Sequence, residues 1–232
     1  MCTVVTSWTD GLPVRILAIR DEFVSRGFDP PGAWWPEQPS VIGGRDRQAG
    51  GSWCVSDVPT GVTALVLNRT ERHVGTPSRG VLPLLAAAAG RDWPARLDVQ
   101  AMASFILVLA APDGVTAWTW DAAQLTRQDL EPGTHVFTSR GVDAGDEKAG
   151  RLAAQFASRP WLDVVTERPP TDDRTALIVS HPFETDTYAT VFGQLITAAP
   201  GELRVSHSRT PWVSGSWRDE RWPAKGRPGG VS

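Results

Sequence analysis

Short runs of β-branched and aliphatic residues, cut apart by Gly, Pro and Asp, set the pattern of this chain. Thr3-Val4-Val5-Thr6 and Val14-Arg15-Ile16-Leu17-Ala18-Ile19 flank Asp10-Gly11-Leu12-Pro13, and Asp-Gly between two such runs predicts a hairpin. Its first strand starts at Cys2 and its second ends at Arg20-Asp21-Glu22. Residues 26–51 are dense in Pro and Gly and read as a long surface loop. Further hairpins are expected over 51–56 with 61–68, over 102–110 with 115–120, and over 188–198 with 202–207, the last with Pro200-Gly201 at its tip. Another strand is expected at 134–139. Helices are expected at 81–89, where Pro83 is tolerated in the first turn, and at 148–158.

Strands, a helix, more strands, a second helix and a last hairpin predict an α+β fold in which helices cover two mainly antiparallel sheets. Residues 1–218 read as one domain. Residues 219–232, polar and rich in Pro and Gly, read as a disordered tail.

Composition narrows the function classes. The 232 residues are 41% apolar, enough for one substantial core, and no apolar run reaches the length of a membrane span. No signal-peptide pattern opens the chain. A formal net charge of -3 argues against a nucleic acid held by bulk electrostatics. Cys2 and Cys54 make neither a disulfide framework nor a zinc site, and His73, His135, His181 and His207 have no metal-ligand spacing. The expectation is a soluble, cytoplasmic protein with no cofactor, no metal, no nucleic-acid partner and no membrane span, acting on a small, partly apolar molecule. The 11 Trp residues read as packing, with ligand stacking by one or two left open. Cys54, beside Trp53 in a strand, reads as a small buried hydrophobe.

Cys2 changes the picture. A side chain this small behind the initiator normally lets Met1 be removed, leaving a thiol and a free α-amine on one carbon. Such a residue carries its own general base. The amine pKa, about 7.7–8.0, and the thiol pKa, about 8.5, are well matched near neutral pH. A Cys second in the chain by chance is the competing reading, and the residues downstream of Cys2 decide between the two.

Several motifs occur in order: Ile19-Arg20-Asp21-Glu22, Trp34-Trp35, Gly44-Arg45-Asp46, Gly50-Gly51-Ser52-Trp53, Leu67-Asn68-Arg69 and Ser78-Arg79-Gly80. Fainter echoes are Pro132-Gly133-Thr134-His135 and Tyr188-Ala189-Thr190. With the Met-Cys start, this series resembles the NRDE family, also called the transport-and-Golgi-organisation family, most clearly over residues 1–90. The resemblance implies an N-terminal-nucleophile hydrolase-like fold of four layers: helix, sheet, sheet and helix. A more distant similarity runs to choloylglycine hydrolases and penicillin V acylases, which cut amide bonds with an N-terminal Cys. By that route Cys2 is the nucleophile, Asp21 holds the α-amine, Arg20 lowers the thiol pKa, and Asn68 donates to the oxyanion, a role worth roughly 3 kcal/mol. Ser139 takes the position of a second oxyanion-binding Asn.

The same residues have plainer readings. Arg20 and Asp21 are neighbours and face opposite sides of a regular strand, so both reach Cys2 only where the strand ends or bulges. Glu22 suits a loop cap or ion pair. Asn68 suits a turn, Gly43-Gly44 and Gly50-Gly51 suit tight turns, and Ser78-Arg79-Gly80 suits a helix cap or an anion near Arg79. The chain also departs from the family pattern: Ile19 replaces the leading Asn, Ser139 an Asn, and Val191 the Arg after Tyr188-Ala189-Thr190. Losing one oxyanion donor typically costs about a hundred- to a thousand-fold in turnover. Three functions therefore stay open: an amide hydrolase with Cys2 as nucleophile, a non-catalytic carrier of haem, a lipid or an acyl-thioester on the same scaffold, and, ranked last because no motif points to it, a stable domain used for protein interaction.

Overall fold

The structure is a computed structural model that describes residues 2–70, 75–143 and 146–223. The expected loss of Met1, His73 and residues 224–232 of the expected tail lie outside them.

The chain opens with the expected hairpin, β1 (Thr3–Trp8) and β2 (Val14–Phe23), and Gly11 supplies the positive φ of +78° in its turn. Four strands come next: β3 (Phe28–Gly32), β4 (Val41–Asp46), β5 (Cys54–Asp57) and β6 (Val62–Asn68). Helix α1 (Val81–Ala89) leads to β7 (Phe105–Ala111), β8 (Gly114–Trp120), β9 (Leu125–Leu130), β10 (Gly133–Thr138) and the two-residue β11 (Gly141–Val142). Helices α2 (Glu147–Ser158) and α3 (Trp161–Thr166) precede β12 (Ser180–Phe183), β13 (Asp186–Ala199), β14 (Glu202–Ser208) and β15 (Arg218–Pro223).

All strand ladders are antiparallel, in two sheets. One runs β11-β10-β1-β2-β13-β14-β15 with β12 also on β13; the other runs from β3 to β9 in chain order. Three apolar clusters set the layering. Val4, Ile16, Ala18, Ile196 and Val205 of the first sheet meet Leu65, Leu67, Ile106 and Val108 of the second between the sheets. Leu82 and Ala86 of α1 pack on Val66, Leu107 and Leu109, on the outer face of the second sheet. Leu152 and Phe156 of α2 and Val164 of α3 cover Val5, Leu17 and Ile19 on the outer face of the first. Opposite faces of each strand thus feed different layers, as period-two side chains require. The result is an α+β sandwich of two antiparallel sheets with helices outside.

Two sequence expectations are corrected. The stretch 26–51 is not a loop: it holds β3 and β4. Pro30 and Pro31 are tolerated because β3 is an edge strand whose register with β4 shifts between Asp29 and Gly32. Residues 219–223 are not a disordered tail but pair through β15 with β14 at the far edge of the first sheet. No helix among the described residues is long and apolar enough to cross a membrane.

Candidate active site

Strand parity delivers the site. Val4 and Ala18 face between the sheets, so Cys2 and Arg20, two residues on in their respective directions, point the same way. Asp21 lies in phase with Ile19 and Leu17, on the helix side. One bulge reconciles the neighbours. On β13, Thr190 pairs with Asp21 and Phe192 with Arg20, leaving Val191 as an extra residue. Thr190 and Phe192 would share a face in a regular strand. The bulge turns them to opposite faces, one for the carboxylate and one for the guanidinium.

A cavity of ≈ 440 Å³ opens where the ends of β2, β4 and β6 meet the start of β1. Cys2, Arg20, Asp21, Asn68 and Ser139, the five residues singled out from the sequence, all line it. The Cys2 thiol donates a long bond, 3.9 Å, to the Asp21 carbonyl oxygen, and the Tyr188 hydroxyl donates to that same oxygen at 3.0 Å. The Thr190 hydroxyl donates to the Asp21 carboxylate at 2.6 Å and accepts from Val179 N–H at 3.0 Å. Asn68 ends β6 on the exposed side of the wall, and its side chain makes no hydrogen bond among the described residues. Ser139, just past β10, is buried.

Arg20 is 4% exposed and held rigidly. Its guanidinium lies 4.7 Å from the Trp53 ring and 5.1 Å from the Phe28 ring. One edge faces Asp46 at 3.4 Å and Glu22 at 3.7 Å, while Nη1 is buried with no hydrogen-bond partner among the described residues. Asp46 also accepts from Arg26 at 2.7 Å and from the Gln48 and Ala49 N–H groups. Burial pushes the Asp46 carboxyl up, but these hydrogen bonds and the two guanidinium charges outweigh it and hold it below the usual carboxylate range.

The glycine motifs do more than turn the chain. Gly50 does sit in a turn, at φ +71°. A Cβ on Gly44, however, would lie 2.3 Å from the Trp53 ring, so only glycine lets that ring lie against β4 beneath Arg20. A Cβ on Gly51 would come within 2.6 Å of the Gly80 backbone, where Ser52 N–H donates to the Gly80 carbonyl at 2.9 Å. That crossing brings Arg79 to the cavity.

Burial governs the acids. It pushes the Cys2 thiol up, with the Asp21 carboxylate acting in the same sense, while the Arg20 guanidinium pulls it down by less than burial raises it. Burial likewise raises Asp21, against the charge of Lys148 and the Thr190 hydrogen bond. Lys148, near the start of α2 and 6% exposed, is itself pulled down by burial, with Asp21 and Asp146 opposing.

The sequence reading left Thr190, Tyr188, Asp46 and Lys148 without roles at Cys2. Lys148 had one signal, since Lys225 is the only other lysine in an Arg-rich chain. Thr190 had none, because its place depends on the bulge. The family model for Transport and Golgi organisation 2 matches residues 1–181, which span every residue lining the cavity except Tyr188. The chain belongs to this family. No curated protein matches it. In this Transport and Golgi organisation 2 family chain, the motifs from Gly44 to Gly80 thus build the cavity wall opposite Cys2: a platform for Arg20, and a glycine crossing that carries Arg79.

Proposed function

We propose that this family member is an N-terminal-nucleophile amide hydrolase of the NRDE type, related in mechanism to choloylglycine hydrolases and penicillin V acylases. One observation carries the reading: Cys2, Arg20, Asp21, Asn68 and Ser139 line one cavity, and a buried guanidinium N–H of Arg20 there has no partner among the described residues. A donor left so costs free energy unless a ligand or reacting atom takes it up.

Once Met1 is removed, the α-amine of Cys2 takes the thiol proton as sulfur attacks the carbonyl carbon of a non-peptide amide. A thiol pushed up by burial suits this order, since base and nucleophile then act together. The S–C bond forms, and the oxyanion draws on the Asn68 amide, with the Ser139 hydroxyl beside it. Collapse breaks the C–N bond, and the ammonium proton passes to the leaving amine. The thioester is then cleaved by water, which gives one proton to the amine and its hydroxyl to the acyl carbon. The acid leaves and the thiol is restored. Asp21 positions the amine, and Arg20 steadies negative charge on sulfur.

The test is intact mass together with amine release from a panel of N-acyl aminocoumarins. The expected protein lacks Met1 and releases the fluorophore, and Cys2→Ala loses that activity. Retained Met1, or equal release by Cys2→Ala, would sink the hydrolase reading. A second reading, a carrier of haem, a lipid or an acyl-thioester, is favoured by Val191. It occupies the bulge where the family pattern has Arg, and it offers no charge. Saturable binding by Cys2→Ala without turnover by the native protein would favour the carrier.

A further inference from the structure

The charges around the cavity do not cancel evenly. Its wall carries Arg20, Arg26, Arg69 and Arg79 alongside Asp21, Glu22 and Asp46. Arg20 and Arg26 both reach Glu22 and Asp46, two cations against two carboxylates. Asp21, on the helix side, has the charge of Lys148 for company. Arg69 reaches the Arg140 carbonyl at 3.5 Å. Arg79 is different. It is half-buried, its Nη1 donates to the Ser104 carbonyl at 2.9 Å, and among the described residues it meets no carboxylate within ion-pair distance. Nothing described accepts from its Nε or Nη2, the edge whose two parallel N–H groups match a carboxylate. Burial pulls its pKa down, with the like charge of Arg26 acting in the same sense and Glu22 opposing.

The first sheet supplies a contrasting surface. Phe23 and Tyr188 line the same cavity with rings edge-on at 5.4 Å. Phe183 extends this stack outward at 5.6 Å from Phe23 and is 54% exposed. An aromatic lip from β2, β12 and β13 therefore shares a mouth with a guanidinium carried by the segment before α1.

We infer that the Cys2 cavity selects a ligand with a carboxylate and an apolar or aromatic body, the carboxylate taken by the Nε–Nη2 edge of Arg79 and the body resting on Phe23 and Tyr188. This rests on the reading that the Cys2 cavity is the substrate site, and it narrows the substrate to acidic amides. Arg79 is a binding residue here, separate from the bond-breaking groups around Cys2.

The test is fluorescence titration of the full chain with dansylglycine and with its neutral counterpart, dansylglycinamide. Neither contains a carboxamide bond joining the dansyl group to glycine, and titrating Cys2→Ala alongside the native protein reads binding without turnover of the terminal carboxamide of dansylglycinamide. The native protein is expected to bind the acid at least tenfold more tightly than the amide. Arg79→Gln should erase the preference while leaving the affinity for dansylglycinamide unchanged. Arg79→Lys, which keeps the charge but not the fork, should keep only part of it. Equal binding of acid and amide by the native protein, binding of neither up to millimolar concentration, or a preference that persists in Arg79→Gln would overturn the inference. Should Arg79→Gln not fold, the native ratio and its reduction in Arg79→Lys decide. Cys2→Ala is expected to leave the ratio intact, so a failed hydrolysis assay and a failed charge preference are distinguishable.

Discussion

The two cysteines sit in two environments of one interior, and the contrast between them separates burial from reactivity. Cys54 lies in the middle of the sandwich among Leu65, Val108 and Ile196, 1% exposed. Cys2 lies at the open end, against the same cluster but facing a cavity with Arg20, Asp21 and Asn68. Burial pushes both thiols up, Cys54 well beyond the usual thiol range. Thiol pKa therefore does not single out Cys2. What does is access and company: a cavity for a second molecule, a guanidinium with a spare donor, and a carboxylate at the strand end.

The widest gap should appear in chemical labelling. In native protein iodoacetamide should modify Cys2 on the order of 10³-fold faster than Cys54 or more, because the interior site opens only with the fold. Peptide-resolved mass spectrometry over a time course reads this directly, and equal rates would collapse the distinction. The next gap lies within the cavity end itself, where two aspartates shift in opposite directions. Asp46 is lowered, so its ionised form supports the fold above the unfolded carboxylate pKa, and that support is lost as pH falls through the folded value. Asp46→Asn should cost about 2 kcal/mol at pH 7 and progressively less on acidification. Asp21 is raised, so its ionisation costs stability as pH climbs from the unfolded pKa past the folded one. Asp21→Asn should be no less stable than the native protein at pH 7, with any gain vanishing at low pH. Urea midpoints measured across pH distinguish the two, and parallel profiles would contradict the opposite shifts. The smallest effect should be on stability after truncating each thiol. Cys54→Ala leaves a void in close-packed surroundings and should cost about 1 kcal/mol, whereas Cys2→Ala, beside open space, should stay within about 0.5 kcal/mol. A larger loss for Cys2→Ala in thermal unfolding would mean that the thiol is a packing group.

The central strands were legible because their faces are apolar: β1, β2, β6, β7 and β8 carry the pattern that the inner cluster requires. The strands that escaped notice lie mostly at sheet edges. β9, with Thr126, Arg127, Gln128 and Asp129 exposed, and β15, with Arg218 to Arg221 exposed, have little core to face, so no periodicity records them. β3 hid behind Pro30-Pro31 for the same reason, an edge that needs no full ladder. The five candidate site residues were legible as motif letters, but their convergence in one cavity was not. It depends on a bulge in a strand whose sequence, Thr190-Val191-Phe192, looks regular, and on glycines whose value is the absence of a side chain. Thr190 and Lys148 became neighbours of Asp21 only through tertiary packing.

That single extra residue in β13 means the strand is written in two phases. Up to Thr190 the odd–even assignment of inside and outside obeys one rule, and from Phe192 onward the other. A chain that lost Val191 would have to choose which half of its neighbour to serve. Keeping Thr190 on the Asp21 carboxylate would swing Phe192 away from Phe28 and Trp53, and keeping the aromatic box closed would withdraw the hydroxyl from Asp21. Position 191 thus carries its information in being counted, whatever side chain stands there. Insertions and deletions near it should be far less tolerated than substitutions at it.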